Sequence, residues 1–258
     1  MTLLNSRLHA MWTQAIDPRS SHSLVVTHLR QSCAPSVPRG REDPSGNLAC
    51  VNSPARVVVL LSGSGSLLQA LLDASADDSY GVEIVAVGSD RPDVLGLDRA
   101  ERAGVPTFVL RTKDFESRQA WDDALGAKVA EYSPDLVVSA GFLKLVGPAF
   151  LSRFGGRYLN SHNALLPSFP GIHGPADALE YGVKVTGATL FVVDEGIDTG
   201  AIVAQCVVPV DDNDDVETLT ERIKQAERPQ LVEYVGRMAR KGFRVEGRRV
   251  RIGSTDSG

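Results

Sequence analysis

Five consecutive apolar residues, Val57-Val58-Val59-Leu60-Leu61, run directly into Ser62-Gly63-Ser64-Gly65-Ser66 and then into a helical apolar pattern reaching Ala76. A strand that is apolar at every position has no face to offer water, so it requires a covering layer on each side. That constraint, with a helix following at once, describes the start of a βαβ series. Further strands are expected over 82–87, 106–110 and 135–139, with helices over about 95–103 and 114–132 between them. After a strand at 158–162 the texture changes. Two longer alternating runs, 185–193 and 201–210, are joined by Asp194-Glu195-Gly196-Ile197-Asp198-Thr199-Gly200 and read as an antiparallel hairpin with a long loop. A helix over about 215–240 and a short hairpin around Glu246-Gly247 close the chain. The expected class is α/β, with a Rossmann-like, mostly parallel sheet, helices on both faces and an antiparallel hairpin toward the C-terminus.

The 258 residues, 43% of them hydrophobic, suffice for one domain of about 200 residues with a substantial core. Residues 1–54 are rich in Ser, Arg and Pro, contain no Lys and carry no sustained period, so they are expected to be a disordered extension preceding a domain over 55–258. The 27 basic and 32 acidic residues are interspersed for a net charge of -5, which leaves no basic field for nucleic acid or a membrane surface. Cys33, Cys50 and Cys206 are widely spaced, without metal-ligand spacing, and fit a reducing compartment. No run approaches the ~20 apolar residues of a membrane span. A soluble, cytoplasmic protein without a metal is expected.

Three segments carry candidate chemistry. Gly63, Ser64, Gly65, Ser66 and Leu67 lie between the first strand and first helix, where glycines permit close backbone approach and Ser66 can cap helix amides that attract an anion. A plain strand-to-helix connection would look the same. It is not a dinucleotide fingerprint, since Leu68 stands where a third small residue belongs, and no P-loop lysine follows. Asn160 and His162 are two apart on a strand, so both project to one face about 6.5 to 7 Å from each other. An amide can polarise a carbonyl, and an imidazole can donate to an oxyanion or move a proton near neutral pH. Asp198 sits in the hairpin loop, where it is either part of an acidic solvated turn or a carboxylate that folds back to orient His162.

Taken together, Asn160-Ser161-His162, the segment from Leu165-Leu166-Pro167 to His173, and Asp198-Thr199-Gly200 resemble the signature of the phosphoribosylglycinamide formyltransferase family over residues 56–240. The resemblance implies transfer of a formyl group from 10-formyltetrahydrofolate, as cosubstrate, to the amine of 5'-phosphoribosylglycinamide in purine synthesis. It implies that Asn160 holds the formyl oxygen, that His162 stabilises a tetrahedral intermediate, and that Asp198 keeps His162 charged and oriented, with His173 in support. The substrate phosphate would lie on Gly63 through Leu67 and the glycinamide end on Glu227. The folate would lie against Arg118, Leu143, Lys144, Leu145, Val146, Asn160 and the loop residues Asp194, Glu195, Gly196, Ile197 and Asp198. The implied partners are these two small molecules, with a homodimer as the assembly considered.

The chain departs from the family pattern at Ser64 and Leu67, where Asn is usual, at Pro175, where a second His can follow the first, and at Phe191, where His is usual. Sibling formyl-group enzymes share the central residues. A formyltetrahydrofolate hydrolase carries a regulatory domain in front, which the patternless residues 1–54 are not expected to form, and the transfer-RNA enzyme a further C-terminal domain, which is not expected here. A catalytically weak folate-binding paralogue is the reading of a different class, with Phe191 as its mark.

Overall fold

The computed structural model describes residues 54–253; the expected extension therefore lies, but for Pro54, outside the described residues. Strand β1 (Ala55–Leu61) leads through the Gly-Ser loop to α1 (Ser66–Ser75) and β2 (Val82–Ser89). Then come α2 (Leu95–Arg102), β3 (Thr107–Val109), α3 (Arg118–Ala130), β4 (Leu136–Ser139), α4 (Pro148–Phe154) and β5 (Tyr158–His162). Helix α5 (Gly174–Tyr181), β6 (Val185–Val192), β7 (Ala201–Pro209), α6 (Val216–Lys241), β8 (Phe243–Glu246) and β9 (Arg249–Ile252) follow.

Among the described residues, nine strands join one sheet in the order β3-β2-β1-β4-β5-β6-β7-β9-β8. The first five are parallel; β6 runs antiparallel to β5 and to β7. Alternation along β1 explains its unbroken apolar run. Val57, Val59 and Leu61 pack with Leu68, Leu71, Leu231 and Val235 under α1 and α6. Val58 and Leu60 pack with Trp121, Leu125, Phe150 and Phe154 under α3 and α4. Val57 through Leu61 are fully buried, and each contributes on the order of 1.5–3 kcal/mol of transfer free energy.

Two helices, α4 and α5, were not anticipated. Each is only two turns long and opens on Pro at its first turn, a short signal that the surrounding loop residues obscure. The helix expected from residue 114 begins at Arg118, because Ser117 caps it by accepting from the amide of Ala120 at 3.0 Å and a 3₁₀ turn occupies Thr112–Asp114. Helix α6 starts from a reciprocal capping box between Asp215 and Thr218. Among the described residues, no helix is long and apolar enough to cross a membrane.

Parallel order reverses at β1, which lies between β2 and β4. In an open α/β sheet the crevice beyond the strand ends at such a reversal is where ligands bind. Here it is flanked by the Gly-Ser loop after β1 and the 140–147 loop after β4, with the end of β5 beside them.

Candidate active site

The two flanking loops are tied together at their base. The Ser62 amide donates to Gly141 O at 3.1 Å, and the Leu143 amide donates to Ser62 Oγ at 2.9 Å. The Ser62 hydroxyl in turn donates to Asp90, whose buried carboxylate also faces Lys144 Nζ at 3.6 Å. Sequence reasoning missed Ser62 and Asp90, because their link spans three separate strand ends.

The expectation that Ser66 caps α1 is corrected. Gly65 occupies the cap position at φ 70°, with no side-chain cap, and Ser66 is already helical. A side chain at Gly65 would place its Cβ 2.6 Å from Gly96 Cα, so the loop and α2 meet through two glycines. Arg99 braces the loop by donating to Ser64 O at 3.0 Å. Of the expected phosphate residues, Leu67 turns its side chain into the core and offers only its backbone; Gly63 faces open space.

On β5, Tyr158 belongs to the α3/α4 core and Leu159 to the α1/α6 core. Period 2 then carries Asn160 and His162 to the α3/α4 face and Ser161 and Asn163 to the other. Asn160 is half-buried beside Phe191, its register partner on β6. His162, 8% exposed, places Nε2 2.7 Å from Phe169 O and Nδ1 3.8 Å from Asp198 Oδ2. The carbonyl can only accept, so Nε2 donates to it. The second separation is an ion-pair distance rather than a hydrogen bond, of the kind that tightens when a ligand binds. Asp198 is therefore no solvated turn residue. It sits at φ 54°, and its Oδ2 accepts from the Gly171 amide at 2.7 Å.

Thr189, opposite His162 on β6, fastens the segment that follows it. Its hydroxyl donates to Ala164 O at 2.7 Å and accepts from the Leu166 amide at 3.0 Å, while Gln205 Nε2 reaches both Thr189 Oγ1 and Leu166 O.

Arg118 donates to Leu145 O and lies 4.2 Å over the Trp121 ring, so these two expected folate residues do meet. Leu143, Leu145 and Ile197 are exposed apolar side chains, while Asp194, Glu195 and Gly196 lie on the exposed part of the hairpin loop. A cleft of about 290 Å³ beside Lys144 is lined also by Asp90, Arg91, Pro92, Arg111, Thr112 and Lys113. The 140–147 loop is held from below by Asp122, whose buried carboxylate accepts from the Gly147 and Phe150 amides and so caps α4.

Glu227 is not brought to the face of Asn160 and His162. It lies on α6 with 2% exposure, accepting from the Ser161 hydroxyl and, with the amide nitrogen turned toward it, from Asn163 at 3.1 and 3.3 Å. Burial pushes its carboxyl above the usual range, against the pull of the Ser161 hydrogen bond. His173 precedes α5 as an exposed cap residue whose side chain makes no cap bond. Among the described residues, no group of three or more His, Cys, Asp or Glu could hold a metal ion.

Residues 55–235 match the formyl transferase family. Over 202 residues the chain is 57% identical to a phosphoribosylglycinamide formyltransferase of Mycobacterium tuberculosis, covering 78% of this chain and 93% of that protein. The chain belongs to the phosphoribosylglycinamide formyltransferase family. Solved members agree with it in fold. Glycinamide ribonucleotide transformylase 1 from Symbiobacterium toebii superimposes with TM-score 0.75 at 42% identity, covering 78% of this chain and 94% of that one. The phosphoribosylglycinamide formyltransferase from Brucella melitensis gives TM-score 0.69 at 41% identity, covering 72% and 96%. As a formyltransferase of this family, the chain keeps its expected α/β architecture, with the hairpin loop and the strand end of β5 adjacent.

Proposed function

We propose that this protein transfers the formyl group of 10-formyltetrahydrofolate to the amine of 5'-phosphoribosylglycinamide. The observation that carries the reading is Asp198 Oδ2 lying 3.8 Å from His162 Nδ1, with Asn160 on the same face of the β5 strand end, beside the sheet's reversal point. The amine nitrogen attacks the formyl carbon, and the carbonyl electron pair moves onto oxygen to give a tetrahedral intermediate. Asn160 donates to that oxygen, and His162, oriented by Asp198 and Phe169 O, stabilises its negative charge. The bond from carbon to the folate nitrogen then breaks; the attacking nitrogen loses a proton and the folate nitrogen gains one.

The folate lies against Leu143, Leu145 and Ile197, with its anionic tail toward Arg118 and the cationic cleft at Lys144. The substrate phosphate lies on the uncapped first turn of α1, where amides and helix dipole favour an anion. Glu227, buried on the opposite sheet face, backs the β5 strand end through Ser161 and Asn163. Both substrates are small molecules; a homodimer and a cytoplasmic location accompany the reading.

The test is to supply purified protein with 10-formyltetrahydrofolate, with and without phosphoribosylglycinamide, and to follow the folate product. Turnover that requires the glycinamide supports transfer. Turnover without it would mean a hydrolase, and binding without turnover a catalytically weak paralogue.

A further inference from the structure

We propose that Arg248, in the turn of the terminal β8/β9 hairpin, is a positioning residue that holds the Asp198 loop in its working shape. The inference rests on the role given to Asp198 above. Arg248 Nη1 donates to Thr199 O at 2.9 Å, one residue past Asp198. The same hairpin is anchored to the strand that leaves the loop, through the β7–β9 register of Ile202 with Arg249.

The loop needs such a hold. Asp198 occupies the left-handed region at φ 54°, which a non-glycine residue keeps only when its surroundings impose it. On the N-terminal side the imposition comes from Asp194, whose Oδ1 accepts from Thr199 Oγ1 at 2.6 Å and from the Gly196 amide at 3.1 Å. The Asp198 carboxylate itself is held by the Gly171 amide. On the C-terminal side, the Thr199 carbonyl is fixed by Arg248 from across the hairpin. A donor at that oxygen resists rotation of the peptide planes that set where the Asp198 carboxylate lies relative to His162. The family match ends at residue 235, so this brace comes from a segment beyond the matched domain. Arg248 is exposed, and removing an exposed polar contact changes global stability little. Its effect is therefore separable from folding.

The experiment compares Arg248→Ala, Arg248→Lys and Asp198→Asn, alone and with Arg248→Ala added to Asp198→Asn, in the full chain. Arg248→Ala lowers kcat about three- to tenfold, the range one net hydrogen bond carries, with KM for the glycinamide substrate and Tm unchanged. Arg248→Lys recovers at least half of that loss. In the Asp198→Asn background Arg248→Ala has no further effect, because nothing remains to be positioned. Amide hydrogen exchange reads the loop without recourse to activity: residues 194–200 and Gly171 exchange several-fold faster in Arg248→Ala. Unchanged exchange, or a full additional kcat loss in the Asp198→Asn background, overturns the proposal, as does a fall in Tm with kcat unaltered, which would make Arg248 an anchor of the hairpin alone. If the wild type transfers no formyl group, the functional reading fails while hydrogen exchange still decides the role of Arg248.

Discussion

Asn160 and Phe191 are direct partners across the β5–β6 ladder, with their side chains on the same face of the sheet, and the β6–β7 register shifts between Leu190 and Phe191. The ring of Phe191, a 2%-exposed residue, stands at the register position beside Asn160 and has no hydrogen bond to offer its amide. Phe191→His supplies a polar neighbour that can orient the amide, so kcat rises, while burying an imidazole lowers stability by roughly 1–3 kcal/mol. Steady-state kinetics beside a thermal melt checks both; a lower kcat would show that the ring supports Asn160 by packing alone.

Asn160→Ala and His162→Ala each lower kcat by on the order of 10²-fold or more, the usual scale of losing one group that stabilises a developing oxyanion. Asp198→Asn keeps the acceptor for Gly171 but removes the charge 3.8 Å from the ring, and also lowers kcat. Folate affinity measured by titration changes far less in all three. Near-normal turnover in the Asn160→Ala/His162→Ala double variant would remove these residues from the chemistry.

At Gly65 a methyl group meets the backbone of Gly96, and the left-handed conformation at φ 70° adds about 1–2 kcal/mol of strain for any L side chain. Gly65→Ala therefore lowers Tm and raises KM for the phosphate-bearing substrate. Folate binding by direct titration stays close to wild type, since the 140–147 loop is held by other contacts.

Removing the Asp122 carboxylate orphans two amides at the start of α4, at about 1–3 kcal/mol each. Asp122→Ala destabilises the fold and, by loosening the loop that carries Leu143 to Val146, raises KM for the folate. Asp122→Asn keeps one acceptor and loses about half as much. Chemical denaturation alongside kinetics separates the two effects.

Glu227 gives a pH dependence whose sign follows from burial. Burial shifts its folded carboxyl above the ordinary glutamate value of 4.5, so the folded state holds the proton more tightly than the unfolded chain. Its favourable contribution is complete below about pH 4.5 and is lost as pH rises through the higher folded value. The Tm difference between Glu227→Gln and wild type should move in favour of the variant between pH 4.5 and 8; a constant difference would mean that Glu227 titrates alike in both states.

The βαβ series, the antiparallel hairpin and the long final helix were legible because each rests on a period repeated over many residues, as in the apolar run at Val57 to Leu61. Asn160 and His162 were legible for the same reason: spacing along a strand settles which side chains share a face. The short helices α4 and α5 were not, since two turns give too few repeats to stand out.

Nothing in the local pattern could set how the hairpin loop folds back. Asp194 to Gly200 is acidic and glycine-bearing, equally apt for a solvated turn. Only the packed fold takes Asp198 to His162, through the Gly171 amide, the Asp194 turn and Arg248 reaching back from 49 residues farther along. The same holds for Ser62 with Asp90 and for Ser161 with Glu227, pairs 28 and 66 residues apart. Periodicity along one element is a local property of the chain, whereas the meeting of side chains from separate elements depends on sheet order and loop path, which exist only once the core has formed.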